Sequence, residues 1–541
     1  MTRTFDTPVL IVGAGPVGLA LAGDLGWNGR ACTVVEQSDG SIFQPRQDLV
    51  GIRTMEFCRR WGIVADVEAT PYDRDYPQDN VYIAGSLANG WEIGRYETPS
   101  MNASRPPPES PQKRERCPQN MFDPVLRKFA QSFGSVDLRY RHRLASCEAV
   151  EGGVVAEVER LDHGDTIRIA TEYLVACDGA NSGIRRAAGI AMSGNPALTH
   201  TTNIIFRCAG FEALHDKRPG YRFIFVGPEG TWATIVAING RDEWRMSVIR
   251  AGDGRTALDE AEVHAAIRRA VGADFDYEIL SVMPWTRREL VADAFASGNV
   301  FLAGDSAHAM SPTGGFGMNT GVGDAVDLSW KMTAVQQGWG GGALLGSYTA
   351  ERHPVALRNV TEASGNLGRM LSPPAHPELL DPTPAAAALR EKVGRDLAEA
   401  MQREWRTLGV HLGYFYENSP ICVPDGTPPP SLDPSVYVQT TRPGSRAPHV
   451  WRADGTSTLD LIGRGFVLLR LGADVSDTSA LEAAAARAGL PLAVESIGEP
   501  EIVRAYERAL VLVRPDGHVA WRGDAAPTDP KSVIDCVRGA A

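Results

Sequence analysis

The sequence predicts an α/β fold: a Rossmann-like domain carrying an inserted antiparallel β-sheet, followed by a further α/β domain at the C-terminus. Three observations predict it. An apolar run, Thr7–Val12, leads straight into Gly13-Ala14-Gly15-Pro16-Val17-Gly18 and then a helical stretch. Between Thr201 and Arg250, segments rich in β-branched and aromatic residues follow one another across turn-forming residues. Two proline-rich stretches, Ser372–Pro384 and Pro424–Pro434, set the tail apart from the bulk of the chain.

Length and composition agree with such a division. A chain of 541 residues exceeds one compact core, so two or three domains are expected. Hydrophobic residues make up 43% and charged residues 22%, the balance of a globular protein in water. A net charge of −12 argues against nucleic acid or an anionic membrane as partner. The eight cysteines are scattered without a CxxC pair, which suits free thiols in a reducing cytoplasm and gives no metal site. The opening MTRTFDTPVLIVGAG lacks the pattern of a signal peptide, and no run of about 18 apolar residues suggests a membrane span.

Taken in order, the first unit is a strand (Thr7–Val12), the glycine turn, a helix, and a second strand (Cys32–Val35) ending at Glu36. Gly13 permits the tight turn, Gly15 lets a pyrophosphate approach the backbone, and Gly18 lets the helix lie close on the strand. Glu36 stands about where a ribose-binding carboxylate belongs. The fingerprint alone leaves NAD and FAD open. A second apolar strand, Tyr173–Cys177, ends in Asp178-Gly179. A third, Val300–Ala303, ends in Gly304-Asp305 and a loop holding Pro312, Gly314, Gly315 and Gly317, before a helix from about Asn319. Such a corner aims backbone N–H groups and the positive end of a helix dipole beyond the strand.

GxGxxG, DGxxSxxR and GDSAHxxxPxGGxGxN, in this order, resemble the flavoprotein aromatic hydroxylases, the group A monooxygenases typified by p-hydroxybenzoate hydroxylase and phenol hydroxylase. The resemblance implies one FAD, with NADPH or NADH as electron donor, O2 as co-substrate and no separate nicotinamide domain. It also implies hydroxylation of a phenolic ring, ortho to an existing hydroxyl, through a C4a-hydroperoxyflavin. Carried onto this chain, it assigns Gly13, Gly15, Pro16, Gly18, Glu36, Arg46, Gln119, Asp178, Asp305, Pro312, Gly315, Gly317, Met318 and Asn319 to the cofactor. Asp305 would face the ribityl chain, and Pro312 the catalytic face of the isoalloxazine. Asp48 occupies the position of an active-site acid in phenol hydroxylase, as a base or as an anchor for the phenol hydroxyl. The plainer reading is that it caps a helix beginning around Leu49. His308 would order the Gly304–Asp305 loop rather than move protons.

The antiparallel sheet is implied to roof the substrate pocket, with Phe223, Phe225 and Trp232 as candidates to face an aromatic substrate. The expected domains are 1–375, with the sheet inserted at about 190–284, a helical connector at 376–430, and a thioredoxin-like domain at 431–541, which lacks CxxC. The relatives imply a homodimer. A tailoring oxygenase of a polycyclic aromatic metabolite, by hydroxylation or Baeyer–Villiger insertion, is the alternative on the same scaffold. A non-enzymatic nucleotide-fold carrier is disfavoured by the intact Asp178-Gly179 and Gly304-Asp305 segments.

Overall fold

The computed structural model describes residues 5–250, 258–473 and 475–541. The chain begins with strand β1 (Thr7–Val12), helix α1 (Pro16–Trp27) and strand β2 (Cys32–Glu36). Helix α2 (Ile52–Trp61) follows, then strands β3 (Asn80–Ala84) and β4 (Trp91–Tyr96), helix α3 (Gln119–Gln131) and strand β5 (Val136–Tyr140). Strand β6 (Asp165–Ala176) returns to the first sheet, and β7 (Met192–Arg207), β8 (Arg222–Gly227), β9 (Gly230–Ala237) and β10 (Glu243–Arg250) form a second. Helix α4 (Glu260–Val271), strands β11 (Glu278–Ala292) and β12 (Val300–Leu302), and helices α5 (Gly317–Gln336), α6 (Ser347–Met370) and α7 (Pro384–Trp405) complete the main body. The tail holds β13 (Phe466–Leu471), α8 (Ser479–Arg487), β14 (Leu492–Ile497), α9 (Pro500–Tyr506), β15 (Leu510–Val513), β16 (Val519–Gly523) and α10 (Pro530–Val537).

The core of the first sheet runs β12-β6-β1-β2-β5, and each neighbouring pair among these five strands is parallel, with antiparallel strands added at its margins. Its central strands are buried on both faces, which is why Val9–Val12 and Leu174–Ala176 read as unbroken apolar runs. Three strand C-termini, at Val12, Ala176 and Leu302, therefore lie side by side, and the three glycine-bearing turns after them meet at one edge. In an open parallel sheet that edge is where ligands bind.

The second sheet runs β11-β7-β10-β9-β8-β3-β4. It takes β3 and β4 from the first hundred residues as well as strands between 192 and 292. One face packs on α4 in a core of Phe206, Phe211, Phe223, Phe225, Trp244 and Ile267. The opposite face packs α6 and α7 at one end, through Ile224, Val226, Leu367 and Leu397. The tail has the thioredoxin-like order β14-β13-β15-β16, with β13 and β14 parallel and the rest antiparallel. Arg514 ties it to the main body: fully buried, it reaches Glu351 of α6 at 3.0 Å and Asp327 of α5 at 3.2 Å. Among the described residues no helix is long and apolar enough to cross a membrane.

Candidate active site

A cleft of about 1720 Å³, counted with its open mouth, lies between the glycine-bearing edge of the first sheet and the second sheet. At its nucleotide end the glycines divide their work by contact. A Cβ on Gly13, whose φ is +107°, would sit 2.3 Å from the Cys177 carbonyl oxygen, and one on Gly18 would sit 2.0 Å from that of Gly13. Both are forced by chain packing on chain. A Cβ on Gly15 would meet nothing within 4 Å, because Gly15 opens into the cleft with Pro16 and Gly18 beside it. That openness is what a closely approaching phosphate needs.

Glu36 ends β2, where its carboxylate accepts the Ala14 N–H at 2.9 Å and the Ser38 N–H at 2.8 Å. It buttresses the glycine turn and is not among the side chains lining the cleft. Arg46 and Gln119 do line it, and the Gln119 side-chain carbonyl accepts the Arg46 N–H at 3.0 Å. Asp178 accepts the Gly183 N–H at 2.9 Å and lies behind its neighbours Cys177 and Gly179, which are the cleft residues. Asp305 opens into the cleft, and so do Pro312, Gly315, Gly317 and Met318, so the N-terminus of α5 faces the same space. Asn319 does not. Its side chain donates to the carbonyls of Leu49 (3.0 Å) and Gly315 (2.7 Å) and accepts from Gly51 N–H and the Thr54 hydroxyl (2.7 Å each). It positions the loop by lashing it to α2. His308 orders the loop from below, with Nε2 2.7 Å from Asp324, which also accepts the Gly304 N–H at 3.1 Å and is gripped by Arg352 at 2.8 Å.

The roof face differs from the aromatic one expected. Phe223 and Phe225 are fully buried in the core under α4, and Trp232 joins them with Arg269 stacked 3.9 Å over its ring. None of the three lines the cleft. The cause is the two-residue period of a strand: with Arg222 turned to the cleft, Phe223 must point away. Trp232 sits at the β-bulge between Phe225 and Val226, where β8 and β9 slip register, and is thereby turned out of the row formed by Thr234 and Val236. The cleft face is mostly polar: Thr201, Asn203, Arg222, Thr234, Arg245, Ser247, Trp285 and Arg287. In the stretch Glu243–Arg250 the signal was present but inverted, since Trp244 and Met246 are core while Arg245 and Ser247 face the cleft.

Asp48 lies in the cleft beside Tyr221, whose hydroxyl donates to it, and pairs with Arg116 at 2.9 Å and Arg245 at 3.3 Å. Burial works against its ionisation, but Arg116, Arg245 and the Tyr221 hydroxyl outweigh it and hold the carboxyl below the usual carboxylate range. It caps no helix: α2 starts at Ile52 behind Gly51. Sequence reasoning missed Glu404 and Trp405. They come from the last turn of α7, in the segment expected to be a connector, and both line the cleft. Glu404 is 3% exposed, takes both terminal nitrogens of Arg222 at 3.0 and 2.8 Å, and accepts the Gly314 N–H at 3.2 Å. One carboxylate thus joins the roof to the glycine loop.

Comparison with known proteins gives these features a family. Residues 6–363 match the FAD binding domain family, and residues 440–540 match the aromatic-ring hydroxylase C-terminal domain. The chain is 33% identical to the 4-methyl-5-nitrocatechol 5-monooxygenase of a Burkholderia species, over 99% of this chain and 98% of that one. It is 32% identical to the tetracenomycin B2 monooxygenase-dioxygenase of Streptomyces olivaceus, over 98% of each. The solved structure of the rebeccamycin biosynthetic enzyme RebC with reduced flavin superposes with a TM-score of 0.91 at 38% identity, covering 99% of each chain. The open approach at Gly15, the cleft-facing Asp305 and the α5 N-terminus fit FAD, and the chain belongs to the family of FAD-dependent aromatic-ring monooxygenases.

Proposed function

We propose that the protein hydroxylates a phenolic ring, ortho to an existing hydroxyl, using NADPH or NADH as electron donor and O2 as the source of the oxygen atom. The observation that carries this is the facing of two walls across one cleft. The Pro312–Met318 loop, where the flavin ring would lie, stands opposite a roof whose cleft face carries Tyr221, Arg245 and Trp285. FAD bound there would supply hydride acceptance and activation of dioxygen. The chain supplies orientation, charge and exclusion of water.

Asp48 serves this reading as an anchor rather than a base. A phenol ionises near pH 10 and Asp48 below the usual carboxylate range, so proton transfer from the phenol to it is strongly uphill. As a fixed anion Asp48 instead orients Tyr221 and Arg245. The Tyr221 oxygen, its proton committed to Asp48, has lone pairs free to accept from a substrate hydroxyl. Arg245 and Arg116, which lies 3.7 Å from the Tyr221 ring centre, add the positive field that favours phenolate, the better nucleophile. Trp285, with Arg46 5.7 Å from its ring, offers a flat face to the aromatic substrate.

Glu36, Asp178 and Asn319 act on FAD through the turns they hold, and Arg46, Gln119, Asp305 and Pro312 act at the cleft itself. We further propose that it works as a homodimer in the cytoplasm, with no nucleic-acid or membrane partner. A polycyclic aromatic substrate is the second reading, favoured by the tetracenomycin relative. A screen of substituted phenols and fused-ring phenols for stimulated NAD(P)H oxidation, with peroxide measured alongside, tests both. Stimulation without excess peroxide supports hydroxylation, and product mass separates the substrate classes. A flavin-loaded protein that no phenol stimulates refutes it.

A further inference from the structure

Three arginines on the roof converge at one end of the cleft, and two are satisfied. Arg222 holds Glu404 at 3.0 and 2.8 Å and Asn80 at 3.1 Å. Arg245 reaches Asp48 at 3.3 Å and the Pro45 carbonyl at 3.0 Å. Arg287, on β11, is the third. It lines the cleft, is 5% exposed, and has Nη1 buried without a partner. Among the described residues its side chain makes no hydrogen bond and no ion pair.

A buried guanidinium is rarely kept without a counter-charge, because desolvating it costs more than packing its stem returns. Here the surroundings make matters worse. Burial and the Arg222 guanidinium push Arg287 down to about 10, with Glu404 offsetting part of this and Arg245 adding to it. Arg287 is still charged at neutral pH. Glu404 is engaged by Arg222 and Gly314, and among the described residues it makes no hydrogen bond or ion pair with Arg287. Two other buried cleft groups also lack partners: the Trp405 Nε1–H and the Thr201 hydroxyl. A cation and two hydrogen-bonding groups are left over in the cleft, and no carboxylate among the described residues completes them.

Resting on the reading of this cleft as the substrate site, we propose that the aromatic substrate carries a carboxylate in addition to its phenol, and that Arg287 is the residue that selects it. A planar two-oxygen anion matches the guanidinium fork, and it supplies acceptors to the remaining donors. The phenol end is left to Tyr221, Arg245 and Arg116, so the two oxygen-bearing ends of the substrate are read by different residues. An aromatic acid is therefore preferred over its ester, its amide and the parent phenol.

The test is titration of the FAD-loaded protein, followed by perturbation of the flavin absorbance, with 6-hydroxy-2-naphthoic acid, its methyl ester and 2-naphthol. A hydroxybenzoate pair and a three-ring pair extend the series. In the wild type the best-fitting acid binds at least tenfold more tightly than its ester. In Arg287→Met the acid falls to the level of the ester while the ester is unchanged, which also shows that the variant is folded. Arg287→Lys keeps part of the preference. Equal affinities in the wild type, an acid preference that survives Arg287→Met, or no binding by any acid of the series overturns the proposal. The reaction is read separately by donor oxidation. Arg287-dependent binding of acid without stimulated oxidation keeps the carboxylate site and removes the proposed hydroxylation. Oxidation stimulated equally by acid and 2-naphthol keeps the hydroxylation and removes the carboxylate site.

Discussion

Glu404 is the residue whose removal tests the architecture of the cleft most severely. It is buried, and its partner Arg222 is buried with it, 9% exposed. In Glu404→Leu the Arg222 guanidinium keeps one hydrogen bond, to Asn80, and loses two charge-assisted ones. Breaking a buried pair from one side leaves an uncompensated charge and costs about 3–5 kcal/mol. Taking away both partners, in Arg222→Met with Glu404→Leu, removes the stranded charge, so the double variant costs less than the sum of the singles by at least about 2 kcal/mol. Equilibrium unfolding of the flavin-free proteins in urea measures this, the apoprotein being used so that cofactor binding does not contribute. The same variant frees the Gly314 N–H, so flavin affinity falls in Glu404→Leu by more than in variants of equal stability elsewhere. Costs that add to within about 0.5 kcal/mol would refute the claim that Arg222 and Glu404 act as one unit across the cleft.

The glycines of the first turn separate by mechanism: Gly18→Ala, with its Cβ 2.0 Å from the Gly13 oxygen, destabilises the apoprotein, whereas Gly15→Ala leaves apoprotein stability within about 0.5 kcal/mol but weakens FAD binding at least tenfold. Calorimetry of the apoproteins beside flavin titration distinguishes them, and equal destabilisation by both would contradict the assignment. Asp48→Asn keeps FAD bound and lowers coupled product, yet the wild-type rate shows no Asp48-dependent inflection between pH 5 and 8, because the carboxylate is ionised throughout. An inflection that disappears in the variant would restore Asp48 as a base. Asp123 on α3 is 5% exposed, and burial raises its carboxyl to about 7. The folded chain therefore holds a proton that the unfolded chain releases near pH 4, and stability falls as pH rises between those values. Asp123→Asn flattens that slope, gaining up to about 4 kcal/mol at pH 8 and little at pH 4. Identical pH dependence of urea midpoints in the two proteins would exclude this.

What was legible in the sequence is what the chain does to itself locally. Gly13, Gly15 and Gly18 sit in one turn, and Gly304 to Asn319 in another, so spacing alone shows a strand, a turn and a helix start. The parallel sheet then brings Val12, Ala176 and Leu302 to one edge because all three strands share a direction. The substrate side was less legible for two physical reasons. Alternation along a strand separates two faces without saying which is covered. The aromatic face of β8 is claimed by α4, whose apolar side needs it, and the arginines are left to the cleft. The other reason is distance along the chain. Glu404 meets Arg222 across 182 residues, and Arg514 meets Glu351 across 163, pairings that no local pattern encodes. The same holds for Asp48, whose nature as a fixed anion depends on Arg116, Tyr221 and Arg245, each supplied by a different strand or loop.

The most direct measurement is isotopic. The purified protein, loaded with FAD and supplied with NAD(P)H and a phenolic acid that stimulates its oxidation, is run to completion under 18O2 and the product analysed by mass spectrometry. One heavy oxygen atom on the ring, adjacent to the original hydroxyl, is the predicted result. A product carrying oxygen only from water, or donor oxidation ending wholly in labelled peroxide with every substrate tried, would contradict it.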